Sequence, residues 1–234
     1  MVPHYRIIET EPNGILNKDN RHRLERVLRL RIGDEFVITD GLGREAVATL
    51  QKDGQYTVND WYEPKREPEV DVTLFVAISK GDRLEYIIEK AVEMGVTKIV
   101  PLISARCIAK DPGKNKIERW QKIAESAMIQ CGGCVLPVVE QPIELTKIPT
   151  PQKDVLPLFL FEEKLGYSVD GLNSFSEKPS KIWLVSGPEG GFSESEVEFF
   201  KKSGWQTVWL GKRLFRMDTA PIIALANILA PFWL

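Results

Sequence analysis

The fold is decided by two glycine-bearing stretches, Ser186-Gly187-Pro188-Glu189-Gly190-Gly191-Phe192 and Leu210-Gly211-Lys212-Arg213-Leu214-Phe215-Arg216-Met217-Asp218-Thr219. Each stretch follows a short apolar run, at residues 182–185 and 207–210, of the kind that forms a buried parallel strand. A helix-like pattern follows each of the two glycine-bearing stretches. Because ligands of open α/β sheets bind at the carboxyl ends of strands, the sequence predicts a ligand site where these two stretches meet.

The surrounding sequence predicts an α/β domain over residues 70–234. A strand at 72–78, a helix at 83–94 capped by Asp82 and a strand at 98–102 form a βαβ unit. Further elements are expected at 118–130 (helix), 155–161 (strand), and after Ser193, which has capping-box spacing to Glu196. The last helix, 220–229, is apolar nearly all round, which predicts burial within the domain or against a second subunit.

The N-terminal residues 1–66 predict a separate, β-rich domain. Strands are expected at 36–39, 45–50 and 56–58, separated by Asp40-Gly41 and Asp53-Gly54, which suit tight hairpin turns. The G-x-G-x-x-A pattern at 41–46 is therefore interpreted as a turn before a strand, not as a dinucleotide site. A linker with two prolines follows at 63–69.

A basic helix is predicted at residues 20–30, with Leu24, Val27 and Leu28 on its apolar face. The region contains two acidic residues, Asp19 and Glu25, against six basic ones, which are Lys18, Arg21, Arg23, Arg26, Arg29 and Arg31. Such a surface suits phosphate contacts that position RNA without reading its sequence, and Arg6 and Lys80 are added as candidates. The alternative is a solvated helix face.

Composition excludes several other classes of protein. A net charge of −2 and a pI near 5.9 argue against a surface that is basic throughout, although a local basic patch is compatible with them. No signal peptide or membrane-length apolar run is present, and three cysteines do not form a disulfide framework, so we expect a cytoplasmic protein with no membrane association. Cys131 and Cys134 form a C-x-x-C at the end of a predicted helix, with no further ligands at zinc spacing, so no metal is expected.

The residues quoted above resemble the RsmE family of the SPOUT class. The resemblance rests on residues 187–193 and on the pattern Leu-Gly-x-Arg-x-x-Arg-x-Asp-Thr-Ala at 210–220. It extends to Lys80, to 88–96, and to 22–29 with Gly33-Asp34 at the N-terminus. In the second predicted helix it includes Glu118, Arg119, Glu125, Ala127 and Gln130. Family members methylate N3 of a uridine in 16S ribosomal RNA with S-adenosylmethionine. The chain differs from the usual family pattern at Lys212, Phe215, Met217 and Asp218.

The resemblance implies a fold and a site. The fold is α/β, a SPOUT-type parallel sheet with a C-terminal trefoil knot, preceded by a small PUA-like β-barrel domain that binds RNA. The protein would be a homodimer acting on 16S rRNA in the small ribosomal subunit, with S-adenosyl-L-methionine as cofactor. The cofactor would lie against the loops that contain Leu160, Phe161, Glu162, Ser186, Gly187, Pro188, Glu189, Gly190, Gly191, Leu210, Gly211, Arg213, Leu214 and Thr219.

A hypothesis for catalysis follows from the chemistry of uracil. Loss of the N3 proton puts negative charge on the ring, which a guanidinium stabilises. We expect Arg216, with Arg213, to bind the uracil anion or an adjacent phosphate, and Glu189 or Asp218 to take the proton. For Asp218 the alternative is a carboxylate that only favours the start of the last helix. Two other functions stay open at this point, a methyltransferase acting on transfer RNA and a non-catalytic RNA-binding module.

Overall fold

The computed structural model describes residues 5–9, 14–107, 112–162, 167–168 and 178–233. The chain divides into two compact units, Met1–Glu67 with Met128–Leu136, and Pro68–Ala127 with Pro137–Leu234. The first unit therefore includes a short segment that is distant in sequence.

The first unit contains a four-stranded sheet. Its elements are β1 (Arg6–Ile8), α1 (Lys18–His22), β2 (Glu35–Thr39), β3 (Glu45–Leu50) and β4 (Tyr56–Val58). The strands lie in the order β1-β2-β3-β4; β1 and β2 are parallel and the other pairs are antiparallel. Strand β3 begins at Glu45, within the G-x-G-x-x-A pattern, where a dinucleotide site would need a helix; this confirms the interpretation of that pattern as a turn before a strand. Asp53 and Gly54 have φ values of 57° and 75°, as the predicted hairpin turn requires.

The predicted helix over residues 20–30 is wrong in its second half. Helix α1 ends at His22 and continues as a π-helical segment, Arg23–Val27, in which the Leu28 N–H donates to the Arg23 carbonyl. Arg29 then ends the helix with φ 59°, a left-handed conformation that usually favours glycine. The wider turn changes which side chains share a face: Leu24 is fully buried, whereas Val27 is 62% exposed.

Backbone hydrogen bonds join residues 128–136 to the rest of the first unit. The Leu136 N–H donates to the Gly41 carbonyl, and the Gly43 N–H donates to the Cys134 carbonyl. The Glu67 carboxylate accepts from the Cys134 N–H at 2.6 Å and from its thiol. Burial, together with this carboxylate, raises the pKa of the Cys134 thiol to about 12, while Cys131 is exposed.

The second unit is a parallel α/β sheet with helices. Its elements are β5 (Asp71–Ala77), α2 (Arg83–Glu93), β6 (Lys98–Ile103), α3 (Lys114–Cys131), β7 (Val138–Val139), β8 (Ile143–Glu144), β9 (Val155–Leu160), β10 (Tyr167–Ser168), β11 (Lys181–Ser186), α4 (Glu194–Lys202), β12 (Gln206–Trp209) and α5 (Ala220–Leu229). The strand order is β10-β12-β9-β11-β5-β6-β7, and β8 also pairs with β6. All these pairs are parallel, which confirms the predicted fold class. The last strand of the chain, β12, lies between two earlier strands; this order is consistent with a trefoil knot, which stays a prediction.

The ends of the helices test the capping predictions. The capping box of α4 is present, because the Glu196 N–H donates to Ser193 Oγ and the Ser193 N–H donates to the Glu196 carboxylate. Asp82 occupies the N-cap position of α2, as predicted, but its side chain accepts no capping hydrogen bond. Helix α5 is buried along one face, while Ile222, Ile223 and Ala226 on the other face are partly exposed.

Two features are absent from the residues that the structure describes. None of the helices in those ranges is long and apolar enough to cross a membrane. Within the same ranges, no group of three or more His, Cys, Asp or Glu side chains is arranged to hold a metal ion.

Candidate active site

A cleft of about 380 Å³ opens at the carboxyl ends of β9, β11 and β12. The segments that follow these three strands form its walls. The lining residues that the sequence had singled out are Leu160, Phe161, Glu162, Ser186, Gly187, Pro188, Glu189, Gly191, Leu210, Gly211, Arg213, Leu214 and Arg216. The two stretches that open the sequence analysis therefore converge on one cavity.

The first glycine-bearing loop, residues 186–192, is held in place by aromatic packing. The Phe192 ring contacts Phe159 and Phe200, with ring centroids 6.2 and 5.3 Å away. A Cβ atom on Gly187 would lie 2.9 Å from Phe192 Cζ, so any other residue at this position requires the ring to move. Gly191 has φ 67°, which a residue with a side chain adopts only under strain. Glycine at these two positions therefore fixes the shape of the wall.

The second loop carries two arginines over an apolar base. Gly211 has φ 117°, and the chain beyond it leaves Arg213 and Leu214 exposed on the cleft. Met217 is 6% exposed and anchors the end of the loop in the protein. Arg216 also lines the cleft and is 70% exposed, so its guanidinium is accessible to a ligand.

Each of the two candidate carboxylates pairs with an arginine. Glu189 lines the cleft, and its Oε1 accepts from Arg83 Nη1 at 2.6 Å. Asp218 is not among the lining residues; its Oδ2 lies 3.3 Å from Arg216 Nη2, and its Oδ1 accepts from the Thr219 hydroxyl. The geometry thus places one carboxylate on the cavity and the other behind Arg216.

Sequence reasoning missed two arginines of the cleft, Arg83 and Arg106. Arg106 Nη1 donates to the Gly190 carbonyl at 2.6 Å, next in sequence to the Glu189 that Arg83 contacts. Both follow the carboxyl ends of strands in the predicted βαβ unit, and this position is the sequence feature that could have indicated them. Among the residues that had been predicted for this region, Gly190, Thr219 and Lys80 are not in the lining.

The remaining predicted RNA-binding residues belong to the first unit. Arg23 and Arg26 lie in the π-helical segment, and Arg29 lies two residues after its end. Arg6 differs from them, because its side chain is only 13% exposed and its Nη2 lies 3.2 Å from the buried Glu45 carboxylate. Arg66 and the Tyr62 hydroxyl also donate to Glu45. Arg6 is therefore committed to an internal ion pair.

Comparisons with known proteins match both parts of the chain to RNA methyltransferases. A family model described as RNA methyltransferase domain matches residues 66–229, and one described as RNA methyltransferase PUA domain matches residues 16–57. Ribosomal RNA small subunit methyltransferase E of Synechocystis is 36% identical over 88% of this chain and 69% of its own length. The Bacillus subtilis protein of the same name is 30% identical over 94% of this chain and 91% of its length.

A solved structure has the same fold. Ribosomal RNA small subunit methyltransferase E from Neisseria gonorrhoeae, bound to S-adenosyl methionine, superposes with a TM-score of 0.84 at 31% identity over 98% of both chains. The chain therefore belongs to the RNA methyltransferase family that includes ribosomal RNA small subunit methyltransferase E.

Proposed function

We propose that the protein is an S-adenosylmethionine-dependent methyltransferase that methylates N3 of a uridine in 16S ribosomal RNA. The observation that carries this proposal is the convergence of the two predicted loops, with Arg213 and Arg216, on one cleft. The names of the relatives support small-subunit ribosomal RNA as the substrate. The bound cofactor of the Neisseria gonorrhoeae protein supports the choice of methyl donor.

The cleft suits this cofactor in size and chemistry. A volume of about 380 Å³ is within the range of small-molecule pockets. Leu160, Phe161 and Leu210 offer apolar surface to an adenine ring, and the ends of the three strands offer backbone N–H and C=O groups to its polar edge. We propose that the predicted cofactor residues hold it there, with the Glu162 carboxylate as an acceptor for hydroxyl groups.

Positioning and electrostatics account for the proposed reaction. Bound S-adenosylmethionine supplies a methyl group activated by a sulfonium. The chain orients the uracil and stabilises the anion that forms when N3 loses its proton. Arg216, with Arg213, would stabilise this charge, and Glu189, the carboxylate on the cavity, would take the proton. Asp218 would orient Arg216 through their ion pair.

Three further parts of the proposal concern RNA contacts, subunit assembly and cellular location. Arg23, Arg26 and Arg29 would contact phosphates of the RNA. The partly exposed apolar face of α5 would pack against a second subunit to form a homodimer. We propose a cytoplasmic location, where the small ribosomal subunit is found.

Replacing Arg216 with alanine tests the assignment. Loss of one group that stabilises developing charge is expected to lower turnover roughly 10²–10³-fold. The matched control is Lys212→Ala, which removes an exposed cation from the same loop but outside the cleft lining. Turnover of Arg216→Ala within about threefold of wild type, or about 0.65 kcal/mol of barrier, would show that the assignment is wrong.

A further inference from the structure

The cleft extends along the sheet edge past the loops that the sequence had indicated. Arg83 is the first residue of α2, after β5, and Arg106 follows the carboxyl end of β6. Because β11, β5 and β6 are parallel neighbours, their carboxyl ends share one edge of the sheet. Both arginines therefore line the same cavity as the two glycine-bearing loops.

Each of these arginines holds one residue of the first loop. Arg83 Nη1 donates to Glu189 Oε1, and Arg106 Nη1 donates to the Gly190 carbonyl, both at 2.6 Å. A guanidinium has five N–H donors, and each of these contacts uses one of them. The Arg83 side chain is 40% exposed and Arg106 is also exposed, so both groups have donors accessible from solvent.

The charges of the lining favour an anionic ligand. Among the described residues, the lining contains four guanidinium groups and two carboxylates; they belong to Arg83, Arg106, Arg213, Arg216, Glu162 and Glu189. Glu189 is already paired with Arg83. This excess of positive charge is local, since the whole chain has a net charge of −2. A cleft lined by one sign of charge concentrates ligands of the opposite sign.

We propose that Arg83 and Arg106 bind a backbone phosphate of the RNA strand that carries the target base. This inference rests on the proposed function. The planar guanidinium matches phosphate oxygens in a two-point contact, which the single contact of each arginine with the loop leaves possible. Since the same groups hold Glu189 and Gly190, RNA bound here also restrains the loop that forms the cofactor wall.

The test compares three variants with wild type: Arg83→Ala, Arg106→Ala and Arg119→Ala. Arg119 is the matched control, because its guanidinium is also bonded to a carboxylate, Glu85 at 2.7 Å, but lies outside the cleft lining. Binding of an unmodified 16S rRNA transcript is measured at several salt concentrations. Cofactor binding and melting temperature are measured on the same samples.

For each cleft variant we expect RNA affinity to fall, and the slope of log affinity against log salt to decrease by an amount up to the roughly 0.7–0.9 that corresponds to one phosphate contact, because the other arginine still faces the same phosphate. Arg119→Ala should keep the wild-type slope. Arg106→Lys, which keeps the charge but loses the two-point geometry, should recover most of the slope and only part of the affinity.

A purely structural role for the two arginines would give a different result. The melting temperature and cofactor affinity of the cleft variants would then fall while the salt slope stayed at the wild-type value, and the inference would be overturned. Failure of the proposed function is distinguishable from this outcome, because wild type itself would then transfer no methyl group to 16S rRNA.

Discussion

Replacing Glu196 with alanine is expected to destabilise the loop between β11 and α4. The Glu196 side chain belongs to a residue that is 6% exposed, and each of its oxygens accepts one backbone hydrogen bond at 2.8 Å. One donor is the N–H of Ser193, at the start of α4, and the other is the N–H of Ala105, after β6. This carboxylate therefore connects the end of the first glycine-bearing loop to the neighbouring strand end in addition to capping the helix.

The magnitude follows from the two lost contacts. The capping contact is worth about 1 kcal/mol, and the second hydrogen bond, to an ionised acceptor, about 1.5 kcal/mol. For a chain of this size, a total of roughly 2–3 kcal/mol corresponds to a fall in melting temperature of roughly 5–10 °C. Glu196→Gln keeps one acceptor oxygen and should lose about half as much.

The assay is thermal unfolding monitored by fluorescence, with Glu198→Ala as the control variant. Glu198 lies in the same helix but is 63% exposed and forms a surface ion pair with Lys202, so its removal should cost less than about 0.5 kcal/mol. Equal melting temperatures for Glu196→Ala and Glu198→Ala would refute this reasoning. Calorimetry should also show weaker cofactor binding for Glu196→Ala alone.

Three further predictions concern other parts of the chain. Gly187→Ala places a Cβ 2.9 Å from Phe192 Cζ, so cofactor affinity should fall roughly tenfold (about 1.4 kcal/mol) and recover in part when Phe192→Leu is added; no recovery would contradict the steric explanation. Burial and the Glu67 carboxylate raise the thiol pKa of Cys134 to about 12, so the thiol should stay protonated at pH 8, and mass spectrometry after iodoacetamide treatment should find Cys131 modified and Cys134 unmodified until urea is added. Equal rates of modification would count against this. The double variant of Arg23 and Arg26 to alanine should lower the salt slope of RNA binding by roughly 1.5, and an unchanged slope would remove these residues from the proposed RNA surface.

Features that depend on local sequence could be predicted. The apolar runs before the two glycine-bearing loops are strands β11 and β12, because consecutive apolar residues suit a strand covered on both faces. Ile182, Leu184, Val185 and Val208 of these runs are fully buried. The capping box of α4 also depends only on neighbouring residues, Ser193 and Glu196. The convergence of the two loops followed from these strands and from the general position of ligand sites in parallel sheets.

Features that depend on tertiary contacts could not be predicted. Nothing near Arg106 in sequence indicates that its guanidinium reaches the Gly190 carbonyl, because that contact joins residues 84 positions apart. Arg6 seemed suited to RNA from its charge alone, but its partner, the buried Glu45, lies on another strand. The π-helical turn at Arg23–Val27 has no local signature, because the same residues suit an ordinary helix.

The central claim is most directly tested by transfer of labelled methyl groups from S-adenosylmethionine to 16S rRNA. The protein is incubated with unmodified small-subunit particles and, separately, with naked 16S rRNA, and the labelled nucleoside is identified by chromatography and mass spectrometry. We expect label on N3 of a uridine, lost in Arg216→Ala and retained in Lys212→Ala. Label on a ribose or on another base, or no label with either substrate, would contradict it.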